Sequence, residues 1–261
     1  MSKQFSSIQK ITLAAMLLAI AVVSGTLLKL ISVPHFGFIS FSFTPTIVIF
    51  ASLALGPVYG AVVGVLSDLL PAFLYPTGAY NVILTVVFAL LGILPWLFEQ
   101  ITKHFRKSLD KPWIVYLMIG LLFAAVVVIF YGTDLLDKRI SYYGEWFKPV
   151  VLAVNFVFDV LLCVALHFTN RYYHRQGESY EKMPSPNEIA LIALFCEILL
   201  LVFLKGVAYY FYFFLIGSNT RVDYWVIVSM LFMASPINVL LMSVCVPWMT
   251  LFAHRKAYKM S

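Results

Sequence analysis

Charge is what this 261-residue chain has least of: Asp, Glu, Lys and Arg make up 11% of it, against roughly 25% in a soluble domain. Apolar residues reach 62% and the mean hydropathy is +0.93, which excludes a soluble globular fold. Cysteine is scarce as well. Cys163, Cys196 and Cys245 lie inside apolar runs without C-x-x-C or Cys/His spacing, so they read as packing residues rather than a disulfide framework or a zinc site. No G-x-x-x-x-G-K-[ST] loop is present to cradle nucleotide phosphates, and neither H-E-x-x-H nor G-x-S-x-G occurs. The acids within apolar sequence, Asp68, Asp159 and Glu197, stand singly instead of in the pairs that metal sites need. No catalytic residue, metal or cofactor is therefore expected, and the chain reads as something other than an enzyme.

What is present is a series of apolar runs, at roughly 9–32, 38–54, 57–74, 80–101, 112–131, 147–168, 187–216 and 224–252. About 20 helical residues cross a bilayer core of about 30 Å, so these predict an all-α, polytopic membrane bundle of about eight transmembrane helices in a single integral domain. The second and third runs are short, a property tolerated inside the bundle and penalised against lipid. The first run continues past 20 residues without a small-residue cleavage site, so it is expected to remain as a helix. Eight crossings put both termini on one side, together with Lys103, Arg106, Lys111, Arg171 and Arg175. Twelve of the 18 Lys and Arg residues fall there, which predicts cytoplasmic termini in a cell membrane.

The chain is organised around residues 45–80. Leu55-Gly56-Pro57 encodes a sharp reversal, with Gly56 able to end one helix at positive φ and Pro57 suited to the first turn of the next. Gly60 and Gly64 follow as a small-xxx-small face that admits a close helix, and Asp68 follows them as a structural polar group of the hairpin. The loop Pro76-Thr77-Gly78-Ala79-Tyr80 closes the far end.

That order of residues, Gly56-Pro57, Gly60, Gly64, Ser67-Asp68, the P-T-G-A-Y loop and Leu91-Gly92, resembles the substrate-capture S components of energy-coupling factor (ECF) transporters, closest to the folate-type branch. Ala15-Met16-Leu17-Leu18-Ala19 in the first helix resembles the family's docking signature, and its spacing places Ala15 and Ala19 on one helix face. The resemblance covers about the first 100 residues. Folate-type members continue with an aromatic P-G-F-T segment where this chain has Asn81-Val82-Ile83-Leu84-Thr85. Members commonly have six helices, so residues 1–101 and 187–253 read as an S-component-like core and 112–168 as an inserted pair. The resemblance implies capture of a vitamin or related small molecule from outside, folate-like on the branch resemblance, and transport with a transmembrane coupling subunit and cytoplasmic ATPases.

Candidate ligand contacts lie at the outer helix ends. Lys29 offers a cation, His35 and Phe36 one gate, and Tyr75, Tyr80 and Asn81 the other, with stacking and hydrogen bonding for a flat heterocycle. Glu197 and Lys205 are further candidates. Eight residues apart, they are separated by about 12 Å and about 80° on a straight α-helix, so each needs another partner. Asn155 and Asp159 share a face expected to point into protein. The competing reading is a stand-alone carrier or channel using Asp159, Glu197 and Lys205.

Overall fold

A computed structural model describes residues 6–31, 43–74, 80–106, 111–132, 146–175, 184–215 and 224–260. Among these residues the chain forms eight helices and no strand, seven of them long and apolar enough to cross a membrane. They are α1 (Ser7–Ile31), α2 (Thr44–Leu55), α3 (Pro57–Leu74), α4 (Val82–Thr102, followed by a 3-10 turn), α5 (Pro112–Gly132), α6 (Phe147–His174), α7 (186–215) and α8 (Tyr224–Met260). Within α7 the stretch Glu197–Leu204 is wound as a π-helix between two α-helical parts.

All twelve residues of α2 are buried, the arrangement that lets so short a helix avoid exposing unpaired backbone to lipid. Its end is fixed by Gly56, whose φ of 99° and ψ of 173° lie in a region open to glycine, an extended mirror conformation rather than the left-handed helical cap expected. The Gly56 amide still closes the helix by donating to Ser52 O at 3.0 Å. Pro57 then starts α3.

Lipid is as apolar as leucine, so helices in a bilayer gain little from hiding greasy surface from one another. Close backbone approach and van der Waals contact hold them instead. A Cβ on Gly60 would overlap the Gly92 carbonyl oxygen and approach Ser52 Cα, one on Gly64 would overlap the Phe88 carbonyl, and one on Gly92 would strike the Gly60 backbone. The small-residue face of α3 is therefore the seat of α4, with α2 wedged beside it; Ser52 Oγ accepts the Trp96 amide next to Pro95 in α4.

Two apolar clusters share α7 and α8. The first joins α1 to α4 with Ile189, Ile192, Cys196 and Leu200 of α7 and Met242 and Val246 of α8; the second joins α5 and α6 to Leu194, Val202 and the Val226–Val239 stretch of α8. In the spanning windows of α7 and α8, 61% of residues are buried, against 11% for α1, which makes these two helices the spine. In α8 Pro236 lacks the amide that would reach Phe232 O, and the Ser235 hydroxyl supplies that bond at 2.7 Å.

The end carrying the termini is tied by buried polar contacts. Ser185 caps α7 by accepting the Glu188 amide at 3.2 Å, the helix start expected from Ser-Pro-Asn-Glu. The Glu188 side chain does not turn back to its own cap. It accepts from Arg106 Nε at 2.9 Å and from Thr102, joining α7 to the end of α4, while Asn170 Nδ2 donates to Asn187 Oδ1 at 2.6 Å and joins α6.

Candidate functional site

Antiparallel packing gathers the starts of α4 and α8 and the ends of α3 and α7 at the end of the bundle away from the termini. At the start of α4, Asn81 Oδ1 accepts the Ile83 amide at 3.1 Å, and its Nδ2 donates to Ala208 O of α7 at 2.8 Å. Asn81 thus caps one helix and staples it to another. An Asn directly before an apolar run is a helix-start signal, which makes the cap legible in sequence, whereas the partner 127 residues away is not.

Tyr80 and Asp68 meet through a residue that the motif order did not single out. Thr85 Oγ1 donates to Asp68 Oδ2 at 2.6 Å, and the Tyr80 hydroxyl hydrogen-bonds Thr85 in turn. The Tyr80 ring stacks on Phe73 with centroids 6.4 Å apart, leaving Tyr80 42% exposed at the bundle end. Asp68 therefore has a hydrogen-bond partner on α4, outside the hairpin itself.

Lys205 lies one turn before Ala208, half-buried, with its Nζ 5.7 Å from the centre of the Tyr209 ring, a cation-π geometry. Tyr210 meets Tyr224 edge-on at 6.3 Å, and the Tyr224 hydroxyl donates to Phe203 O at 3.3 Å. Tyr80, Asn81, Lys205 and these tyrosines thus share one end of the bundle, an aromatic surface with the Lys205 ammonium set into it. Lys29 is on the last turns of α1 at the same end. Its side chain, with His35, Phe36 and Tyr75, lies outside the described residues.

Glu197 sits deeper. It is 1% exposed, and its Oε1 accepts from Asn238 Nδ2 of α8 at 2.9 Å, while Oε2 and Asn238 Oδ1 have no hydrogen-bond partner. The expected separation from Lys205 assumed regular α-winding. Eight π-helical residues intervene, and π-segments recur at functional sites. The expectation that Glu197 must find a partner other than Lys205 holds: the partner is Asn238. Asn155 and Asp159 do point into protein, at 3% and 6% exposure; Asn155 donates to Val151 O, and both carboxylate oxygens of Asp159 are buried without a hydrogen bond. Among the described residues no hydrogen bond or ion pair joins Asp159, Glu197 and Lys205, and no group of three metal-ligating side chains occurs.

On α1, Ala15 and Ala19 are exposed on a face continued by Ile8, Ile11 and Val23, while Leu17 and Ala21 turn to the core. One helix thus presents a shallow small-residue strip outward and packs with its other side.

No curated protein and no solved structure matches the chain. A family model described as "ECF-type riboflavin transporter, S component" matches residues 5–168, the part that carries α1 and its two alanines, the Gly56-Pro57 hairpin and the α3–α4 seat. Together with seven helices able to span a bilayer, the match makes this a multi-pass membrane protein and a subunit for substrate capture rather than an enzyme. The chain belongs to the ECF-type riboflavin transporter S component family.

Proposed function

We propose that this chain captures a flat, ring-bearing vitamin of the riboflavin type from outside the cell and delivers it through a separate transmembrane coupling subunit driven by cytoplasmic ATPases. The observation that carries this reading is the family match over the segment that builds the hairpin, the α1 strip and the Tyr80–Asn81 gate. Riboflavin is preferred to folate because the family's description names it and because the chain departs from the folate-type pattern after Tyr80.

The ligand would lie at the aromatic end, stacked on Tyr80 and approached by Lys205, with Lys29, His35, Phe36 and Tyr75 completing the gates and Asn81 holding α4 in place. Glu197 would act from below, its Oε2 free to accept from a ring N–H or a hydroxyl. Coupling would use Ala15 and Ala19, and the positive charge around the termini supports a cytoplasmic position for them in the cell membrane. Packing supports the expected inserted pair at α5 and α6, since α7 and α8 are the helices that build the first cluster with α1 to α4. The family match, which runs to residue 168, covers α5 and most of α6 and favours placing the extra pair at α7–α8 instead.

Riboflavin fluorescence gives a direct test on the purified chain. Riboflavin should quench on binding and outcompete folate, and Tyr80→Ala should weaken binding roughly two- to tenfold through loss of ring stacking. Folate binding as tightly as riboflavin would overturn the substrate assignment. An unaltered affinity in Tyr80→Ala would remove this end of the bundle from the site.

A further inference from the structure

Between α5 and α6, toward the end that carries the termini, lies a groove of about 350 Å³ lined by Tyr116, Cys163, Val164, His167 and Phe168. Val164, His167 and Phe168 are exposed, and His167 interrupts a stretch that is otherwise apolar. Arg171 follows one turn later on the same face, and Lys111 stands immediately before α5; both are exposed, as is Trp113 in the first turn of α5. Among the described residues no carboxylate forms an ion pair with His167, Arg171 or Lys111. Asp159, one turn below Cys163, is buried and is not among the residues that line the groove.

Depth completes the picture. Eight residues from Arg171 to Cys163 cover about 12 Å along a helix, and one leaflet of hydrocarbon is about 15 Å deep. The groove begins where a tryptophan and cations mark the membrane interface and ends where acyl chains lie. An apolar floor under a basic rim matches a molecule with a long chain and a negative head.

We infer that this groove holds one anionic phospholipid, its acyl chain along Cys163, Val164 and Phe168 and its phosphate at His167 and Arg171, with Lys111 at the rim. The bound lipid fills the gap between the two helices and braces α5, which otherwise meets the bundle along the narrow line of Val115, Ile119, Leu122 and Val126. This site is independent of the vitamin site at the opposite end.

Native mass spectrometry tests it on the full chain released from nanodiscs of phosphatidylcholine doped with phosphatidylglycerol. One phosphatidylglycerol should be retained, preferred over phosphatidylcholine by about fivefold or more, the effect of a cation at the headgroup. The double variant H167Q/R171Q should lose that preference. Cys163→Phe, which fills the groove, should retain neither lipid, while Cys163→Ala should behave as wild type. A readout on the wild-type groove avoids any folding defect: with Cys196 and Cys245 replaced by Ala, phosphatidylglycerol should slow maleimide labelling of Cys163 more than phosphatidylcholine does. Equal retention of both lipids overturns the proposal. So does a preference that survives H167Q/R171Q and disappears with Lys103→Gln, which would move the anion site to the α4 end. So too does a Cys163→Phe chain that keeps its lipid and loses a protein partner.

Discussion

Replacement of Gly92 by valine is expected to lower the unfolding temperature of the detergent-solubilised protein by roughly 6–12 °C, the equivalent of ~3 kcal/mol for a chain of this size. The Cβ of any larger residue there meets the Gly60 backbone, which has no side chain to swing aside. The helices must separate, and because α3 and α4 are held by contact rather than by exclusion from water, separation forfeits most of what joins them. Gly120→Val is the control: nothing lies within 4 Å of a Cβ at that position, and a change of no more than about 0.5 kcal/mol is expected. Thermal denaturation followed by intrinsic fluorescence separates the two, and equal melting of both variants would contradict the seat.

Ala15→Trp combined with Ala19→Trp is expected to weaken assembly with the coupling subunit by about a hundredfold, two bulky rings costing ~3 kcal/mol in a contact that needs close backbones. Both alanines face outward, so the same change leaves the fold and riboflavin affinity as they were. Co-purification with the coupling subunit, paired with fluorescence binding on the free chain, reads the two effects separately. A double variant that assembles normally would show that α1 docks by another face.

Much of this architecture is legible before any coordinates. Eight apolar runs predict eight helices, and the shortness of the runs at 38–54 and 57–74 is best tolerated inside the bundle; all twelve residues of α2 are buried there, whereas only 28% of the α3 window is. Gly60 and Gly64 announce a close contact. Their partners, Gly92 and the Phe88 carbonyl, are fixed by how two helices cross, and periodicity along one chain carries no record of that. The same holds for Asn81, whose cap is local and readable while its bond to Ala208 is long-range. The π-winding from Glu197 to Leu204 leaves no mark in a uniformly apolar sequence, which is why the Glu197–Lys205 relation could be stated only for a straight α-helix. Thr85 sits between Asp68 and Tyr80 for a similar reason: a threonine early in an apolar helix is unremarkable until the facing acid is seen.

The buried, partly unpaired carboxylates of Asp159 and Glu197 are the feature that a stand-alone carrier would also need, so uptake decides between the two accounts. Purified chain is placed in proteoliposomes with and without the coupling subunit and ATPases, with ATP enclosed on the side where those subunits bind, and entry of riboflavin is followed. Capture with separate energisation predicts binding by the isolated chain and uptake only when coupling subunit, ATPases and ATP are all present. Full-rate, ATP-independent uptake by the isolated chain would contradict it.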